Sequence, residues 1–146
     1  MSEGDGDQLM ARLSEVMSTF EWDRLDEVFH PDAVVEYPQS GEVFRGLENI
    51  RAQFENYPGL EEDSSSRLEE VIGGPTYALT PTYTLIEVKG TGQRRTGVVR
   101  VRYPDGTWWW VLNLYEVRDD RVWRSRSYFA PDFDAPDWRA PYREAP

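Results

Sequence analysis

The stretch that decides the fold runs from Asp32 to Gly46 and reads DAVVEYPQSGEVFRG. Residues Ala33 to Tyr37 are β-branched and aromatic, which predicts a short strand that Pro38 stops, because proline has no N–H for a sheet ladder. A turn follows, and Gly46 opens a helix. A strand that ends in an aromatic hydroxyl beside a proline is suited to the wall of a pocket, so Tyr37 is the first candidate for a functional residue.

The residues before this stretch predict two helices. Apolar side chains recur at three- and four-residue steps between Gln8 and Phe20, which is the stripe of an amphipathic helix. A second, short helix capped by Asp23 is expected to end at His30-Pro31, because the residue before a proline avoids the α region.

The residues after it predict one more helix, from Gly46 to Tyr57, and then a change to strands. The strands are expected at 68–72, 77–88, 94–103, 108–117 and 122–129. Pro81 marks a bulge or a sheet edge in the second of them. Three helices with an inserted strand, followed by long antiparallel strands, indicate a single α+β domain over residues 1–130. Residues 131–146 contain four prolines and are expected to form a surface tail without regular structure.

Composition and charge narrow the classes of function. The 146 residues carry 16 basic and 27 acidic side chains, a net charge of −11. A surface of that sign repels nucleic acids and anionic membranes, so neither is expected as a partner. The chain begins without a secretion signal and has no apolar run of ~18 residues, which predicts a cytoplasmic protein.

The residue inventory disfavours cofactor chemistry. The chain has no cysteine and a single histidine, His30, which excludes thiolate sites and makes a transition-metal site improbable. The turn serine Ser40 has no histidine partner for a nucleophilic triad. The glycine pair at Gly90 and Gly92 is a hairpin rather than a phosphate loop. We therefore expect neither a metal nor an organic cofactor.

The order of elements, together with particular residues, resembles the SnoaL-like (polyketide cyclase-like) branch of the nuclear-transport-factor-2-like superfamily, within a bacterial subgroup. The resemblance covers about residues 8 to 130. It is carried by Trp22-Asp23-x-Leu25-Asp26-x-Val28-Phe29-x-Pro31-Asp32-Ala33, by Tyr37-Pro38, by Phe44-x-Gly46-x-x-x-Ile50-Arg51, and by Leu114-Tyr115-Glu116-Val117-Arg118-Asp119-Asp120-Arg121-Val122. This fold hosts isomerases, cyclases, hydrolases and non-enzymatic binders, so it does not define one activity.

The resemblance implies a cone-shaped antiparallel sheet wrapped by the three N-terminal helices, with a hydrophobic pocket inside the cone. It also implies a homodimer formed through the outer face of the sheet. The run from Trp108 to Tyr115 has large apolar residues on both of its faces, which fits a strand covered on both sides. In that arrangement Trp108 and Trp110 would face the partner.

Ketosteroid isomerase, the best understood enzyme of this fold, is similar around the first strand, but its chemistry does not carry over. The resemblance would place its carboxylate base at Tyr37, its helix tyrosine at Leu13 and its protonated aspartic acid at Asn113. All three positions depart from that pattern. A tyrosine with a pKa near ~10 is also a poor base at neutral pH.

Tyr37 and Asn113 remain the candidate catalytic residues, because each can donate a hydrogen bond to a substrate oxygen. Strand alternation puts Asn113 on the same face as Trp109 and Tyr115. These two residues and Tyr83, if it too points inward, are the candidate substrate-binding residues. The alternatives are an Asn113 amide satisfied within the protein and a Tyr37 that only lines a wall.

The last predicted strand leaves one orientation open. It contains Arg124-Ser125-Arg126-Ser127, so either the serines or the arginines point inward. An inward arginine would favour an anionic ligand.

Three functions fit these residues. The first is a cofactor-independent cyclase, isomerase or hydrolase that stabilises an enolate or oxyanion of a hydrophobic, oxygenated small molecule. The second is a non-catalytic binder of such a ligand, and the third is a dimeric interaction module whose cone is filled by its own aromatic rings. An open polar cavity that contains a carboxylate would favour the enzyme, and an open apolar cavity without one would favour the binder. A cone packed shut by Trp and Tyr rings would leave only the interaction module.

Overall fold

The structure, a computed structural model, describes residues 3–56, 70–72, 77–79, 83–90, 92–102 and 106–145. Two α-helices lie in the N-terminal part, α1 (Glu3–Thr19) and α2 (Leu47–Glu55), with a 3-10 helix (Trp22–Glu27) between them in sequence. None of the helices in these residues is long and apolar enough to cross a membrane. A second 3-10 helix (Asp137–Tyr142) follows the last strand.

Eight strands form one sheet in the order β2-β1-β8-β7-β6-β5-β4-β3. Their bounds are β1 Phe29–Tyr37, β2 Glu42–Arg45, β3 Glu70–Ile72, β4 Tyr77–Leu79, β5 Tyr83–Lys89, β6 Arg94–Arg102, β7 Trp108–Arg118 and β8 Arg121–Pro131. Every pairing between these strands is antiparallel except that of β1 with β8, which is parallel. The α+β cone fold with N-terminal helices is thus confirmed.

The core lies between the helices and the inner face of the sheet. The α1 stripe predicted from its three- and four-residue spacing is buried at Leu9, Leu13 and Val16, and it packs in one cluster with Ala33 and Val35 of β1. Burying a side chain such as Val16 contributes roughly 1.5–3 kcal/mol relative to leaving it in water. This burial fixes the helices over the sheet.

The stretch from Asp32 to Gly46 is a β-hairpin followed by a helix start. Glu42 to Arg45, expected as part of a turn, form β2 and pair antiparallel with β1. Gly46 has φ of +84°, a conformation that strongly favours glycine, and its N–H donates to the Ala33 carbonyl oxygen at 2.8 Å. Gly46 therefore both ends the β1–β2 hairpin and starts the turn into α2.

The start of β1 differs from the prediction. His30 and Pro31 lie inside the strand rather than at the end of a helix. The β1–β8 pairing is irregular between Phe29 and Val34, so Pro31 falls where no regular ladder bond is required of it. The His30 imidazole Nδ1 accepts a hydrogen bond from the Asp32 N–H at 3.1 Å.

The prediction of one strand over residues 77–88 is wrong. The chain forms two antiparallel strands, β4 and β5, which pair at Leu79 and Thr84. Pro81 falls between them and lies outside the described residues, and the bulge occurs later, between Leu85 and Glu87. Proline favours a turn because its ring fixes φ and it lacks an N–H. The tail after β8 also has more structure than predicted, since it contains the second 3-10 helix.

The outer face of β6, β7 and β8 exposes large apolar side chains. On β7 the burial alternates along the strand, so Trp108, Trp110, Leu112 and Leu114 point away from the core and are 38–42% exposed. Tyr128 of β8 lies beside Leu112 on the same face. An apolar surface of this kind typically marks an interface.

We expect the chain to dimerise through this outer face. Leu112→Glu should raise the dissociation constant about tenfold or more, because it buries an unpaired carboxylate in the interface. Sedimentation equilibrium measures the constant. Ala52→Glu, at an exposed position of α2, introduces the same charge away from the sheet and should leave it unchanged. A parent chain that stays monomeric at high micromolar concentration would contradict the interface.

Candidate functional site

A cleft of about 340 Å³ opens at one end of the cone. Its walls come from the β1–β2 hairpin on one side and from β7 and β8 on the other. It is lined by Tyr37, Gln39, Ser40, Glu42, Trp109 and Phe129. Two of the five predicted site residues, Tyr37 and Trp109, therefore lie in the same cleft.

Tyr37 forms the aromatic wall of the cleft. Its ring makes edge contacts with Phe44, at 5.2 Å between centroids, and with Phe129, at 5.1 Å. Desolvation by these surroundings raises the pKa of Tyr37 to about 12. A side-chain hydrogen bond with Gln53 lowers this pKa, and the Glu42 charge makes a smaller contribution that raises it. At neutral pH the hydroxyl is protonated and is able to donate a hydrogen bond.

Gln39 holds the two walls of the cleft together. Its Nε2 donates to the Phe129 carbonyl oxygen at 2.9 Å, and its Oε1 accepts from the Phe129 N–H at 2.6 Å. These two bonds extend the β1–β8 pairing beyond Pro38, with a side-chain amide in the place of a strand backbone. Sequence reasoning assigned Gln39 to a turn and missed this role.

Glu42 supplies a carboxylate to the cleft. It is exposed and pairs with Tyr37 across the β1–β2 hairpin. The Ser40 hydroxyl lies within hydrogen-bonding distance of two acceptors. It is 2.6 Å from Glu42 Oε1 and 3.2 Å from the Tyr37 carbonyl oxygen. The serine thereby orients the carboxylate beside the tyrosine. Sequence reasoning missed Glu42 because the pairing depends on β2, which was not predicted.

Trp109 forms the opposite wall and is partly buried. Its indole Nε1 donates to the Thr107 Oγ1 at 3.0 Å. The ring adds an apolar surface to the same lining as Tyr37 and Phe129. An apolar wall of this kind suits a hydrophobic ligand.

Asn113 lies deeper in the cone. Its Oδ1 accepts a hydrogen bond from the Ser127 Oγ at 2.6 Å, and both residues are buried. The β1–β8 register pairs Glu36 with Arg126, so the next step along both strands brings Tyr37 beside Ser127. Within the described part of the chain, no partner bonds the Asn113 Nδ2, which leaves the NH₂ group as a donor.

Of the two remaining predicted residues, only Tyr115 has a described side chain, and it lies away from the cleft lining. Tyr115 is on the same face of β7 as Trp109 and Asn113, as alternation predicts, but it is 8% exposed and packs in the main core cluster with Val117. The Cα of Tyr83 pairs with Val101, which in turn pairs with Trp109. The side chain of Tyr83 lies outside the described residues.

The orientation of the last strand is settled by burial. Ser125 and Ser127 are buried on the inner face, whereas Arg124 and Arg126 are exposed on the outer face. The polar groups on this part of the cone floor are therefore neutral. The serines are short enough to leave room over the sheet, and Ser127 uses its hydroxyl on Asn113.

One arginine does point inward, and sequence reasoning missed it. Arg95 of β6 is 3% exposed, and its Nη1 donates to the carbonyl oxygens of Gly92 at 2.6 Å and Arg94 at 3.1 Å. It pairs with Tyr115, six positions along β7 from Trp109, so it lies at the core end of the cone rather than at the cleft. Alternation with the buried Val99 could have identified it.

No group of three or more potential metal ligands occurs among the residues that the structure describes. The cleft chemistry rests on one carboxylate, one phenol, amides and hydroxyls.

Solved structures with this fold come from several bacteria. An NTF2-like protein of unknown function from Burkholderia xenovorans LB400 superposes with a TM-score of 0.66 at 20% identity, covering 95% of this chain and 94% of that one. A Kribbella flavida DSM 17836 protein provisionally described as a ketosteroid isomerase gives 0.74 at 16% identity, over 98% and 90% of the two chains. An LEH-like epoxide hydrolase of M. tuberculosis gives 0.53 at 16% identity, over 87% and 84%.

These superpositions define the class: the chain has the NTF2-like fold, shared with ketosteroid isomerase-like proteins. The model of the SnoaL-like domain matches residues 10–125, which is most of the chain. The protein therefore belongs to the SnoaL-like domain family. No curated protein matches the sequence.

The raised pKa of Tyr37 predicts an alkaline loss of stability. An ordinary tyrosine ionises near pH 10, so between pH 10 and about 12 the unfolded chain releases this proton while the folded chain retains it. The stability present below pH 10 should then fall as pH rises through that window. Urea unfolding across the window should show a weaker decline for Tyr37→Phe. An equal decline in both proteins would contradict the desolvated hydroxyl.

The Asn113–Ser127 hydrogen bond should be measurable as a coupling free energy in a double-mutant cycle of unfolding. Ser127→Ala leaves a buried amide oxygen without its donor and should lower the free energy of unfolding by about 1–3 kcal/mol. The matched control is Ser125→Ala, a buried serine two positions away, which should cost less. Adding Asn113→Leu to Ser127→Ala should recover part of the loss, because the orphaned polar group is then removed. Strictly additive effects in this cycle would contradict the bond.

Proposed function

We propose that the protein is a cofactor-independent enzyme that moves a proton at a carbon next to a carbonyl group in a hydrophobic, oxygenated small molecule. One observation carries this proposal: a protonated tyrosine, Tyr37, and a carboxylate, Glu42, face the same cleft. A carboxylate can accept a proton, and a phenol can stabilise the charge that develops on oxygen.

The two groups divide the reaction between them. Glu42 takes a proton from the α-carbon of the substrate, and the C–H electron pair forms the enolate while the carbonyl π pair moves to oxygen. Tyr37 donates a hydrogen bond to that oxygen. In a β,γ-unsaturated substrate the product of this step is a dienolate, and return of the proton from Glu42 to its γ-carbon re-forms the carbonyl, shifts the C=C bond and completes an isomerisation. In a substrate with a second carbonyl, attack of the enolate carbon on that carbonyl, whose oxygen then takes up the proton, completes a cyclisation.

Asn113 can support this charge from deeper in the cone. Its Nδ2 has no bond to a described residue, and the Ser127 hydroxyl fixes the orientation of its amide. An amide held in this way donates without reorganisation, which is the property required of an oxyanion stabiliser. A substrate that spans Tyr37 and Asn113 would carry oxygens at two positions.

The dimensions and walls of the cleft define the substrate class. About 340 Å³ is the lower range of small-molecule pockets and suits a compact ring system. Tyr37, Trp109 and Phe129 provide aromatic faces for such rings. The open cleft also disfavours an interaction module whose cone is closed by its own aromatic rings.

A non-catalytic ligand-binding protein is the second candidate. The exposure of Glu42 favours it, because a hydrated carboxylate is less reactive as a base than one shielded from water. Both candidates use the same cleft, so they differ only in turnover.

Deuterium uptake distinguishes the two. In D₂O, proton NMR follows the loss of the α-CH signal of 2-tetralone, a compact apolar ketone, with and without protein. We expect Glu42→Gln to lower the protein-catalysed rate about 100-fold or more, since it removes the base. Tyr37→Phe should lower it about tenfold or more with retained binding, since it removes one donor.

The control is Glu48→Gln, which removes an exposed carboxylate of α2 outside the cleft and should leave the rate unchanged. If 2-tetralone raises the thermal midpoint but shows no protein-dependent exchange, the binding protein is favoured. Equal rates for Glu42→Gln and the parent chain would remove Glu42 from the mechanism.

A further inference from the structure

The residues from 131 to 145, which we call the C-terminal arm, expose three large aromatic side chains. Phe133 is 80% exposed, Trp138 72% and Tyr142 82%, the highest values among the large apolar residues of the described chain. Burial of these rings against an apolar surface would be favourable, and in the single chain it is not realised. Pro131, Pro136 and Pro141 restrict the backbone between these rings, so the arm holds them apart from its own domain.

The base of the arm is fixed to the outer face of the sheet. The Asp132 carboxylate forms an ion pair with Arg100, and the Asp132 N–H donates to the Trp108 carbonyl oxygen at 3.2 Å. The Arg100 guanidinium lies over the rings of Trp108 and Trp110, at 5.0 and 4.8 Å from their centroids. The arm therefore leaves the domain beside the apolar patch through which we expect dimerisation.

The charges of the outer face are mainly positive, in contrast to the whole chain. The apolar rows of this face are bordered by arginines at both ends. On β6, β7, β8 and the adjoining part of β1, its charged residues are Arg94, Arg100, Arg102, Arg118, Arg124 and Arg126 against Glu36 and Glu116. Arg126 is paired with Glu36 at 3.5 Å. Because arginines outnumber carboxylates on this face, two copies brought together would carry like charge into the contact, which opposes association.

The first part of the arm carries the opposite charge. Asp132, Asp134 and Asp137 lie within six residues that contain no basic side chain. Asp132 already neutralises Arg100 within its own chain. Asp134 and Asp137 are exposed and lie on either side of Pro136, next to Phe133 and Trp138. The arm thus combines apolar rings with carboxylates, which is the complement of the outer face.

We propose that the arm of one copy packs against the outer face of a second copy of this chain. Its rings cover the border of the apolar patch, and its aspartates lie near the arginines that would otherwise repel one another. A two-fold axis makes the exchange reciprocal, so one dimer buries two arms. The chain's own domain does not cover the rings, so a second copy can bury them without displacing a segment of the first.

The test is the dissociation constant of the full-length dimer, measured by sedimentation equilibrium. The double variant Phe133→Ser with Trp138→Ser should weaken the dimer about tenfold or more, because two aromatic anchors are lost. The matched control, Trp138→Phe, keeps an aromatic ring and should stay close to the parent. The thermal midpoint of the monomer should not change in either variant, since both side chains are exposed in the single chain.

A second experiment places the arm in space. The chain has no cysteine, so Ala140→Cys in the arm and Thr96→Cys, which pairs with Leu114 on β7, can be made separately. After the two variants are mixed and oxidised, a heterodimeric crosslink is expected. If the parent dimerises and the double serine variant has the same dissociation constant, the arm exchange is overturned while the sheet interface stands. A monomeric parent would overturn both, and neither outcome bears on the proposed catalysis.

Discussion

The parallel pairing of β1 with β8 is the constraint on which the site depends. It is the only parallel contact among the described strands, and it joins the N-terminal hairpin to the end of the long antiparallel meander. The pairing sets Tyr37 beside Ser127, and the Gln39 amide continues it to Phe129. Without it, the tyrosine and the carboxylate of the hairpin would have no fixed relation to the cone floor.

The inner face of the sheet changes character along its length. Toward the core end it carries Val117, Val122 and Tyr115 in the main apolar cluster, and toward the cleft it carries the Asn113–Ser127 pair. This pair is fully neutral, so it adds polarity without the desolvation cost of a buried ion. A ligand that enters the cone would meet aromatic walls first and directional hydrogen bonds below them.

Sequence reasoning recovered the features that follow from local pattern. Alternation along β7 placed Trp109, Asn113 and Tyr115 on one face, and the spacing of α1 identified its buried stripe. It could not recover Glu42, because β2 is only four residues long and is defined by its partner rather than by its own composition. It also could not separate Tyr115 from the cleft, since period-two patterns give the face of a strand but not the depth along it.

The same limit explains Gln39. Its position after Pro38 reads as a turn by every local rule, and its function arises from a residue ninety positions later in the chain. Pro31 illustrates the reverse case, in which a local rule about helix ends was overruled by the sheet. Pairing between residues far apart in the chain determined both the role of Gln39 and the place of Pro31. Such pairing is visible in the structure and not in a local sequence pattern.

The clamp formed by Gln39 also has a dynamic consequence. Backbone ladders break cooperatively, but a side-chain amide leaves its partners through rotation about its own χ angles, which takes place on the picosecond to nanosecond scale when a residue is exposed. Beyond the last ladder pair of β1 with β8, the backbone of this wall is therefore held by one side chain. Rotation of that side chain would release the Phe129 backbone without breaking a pair of strands.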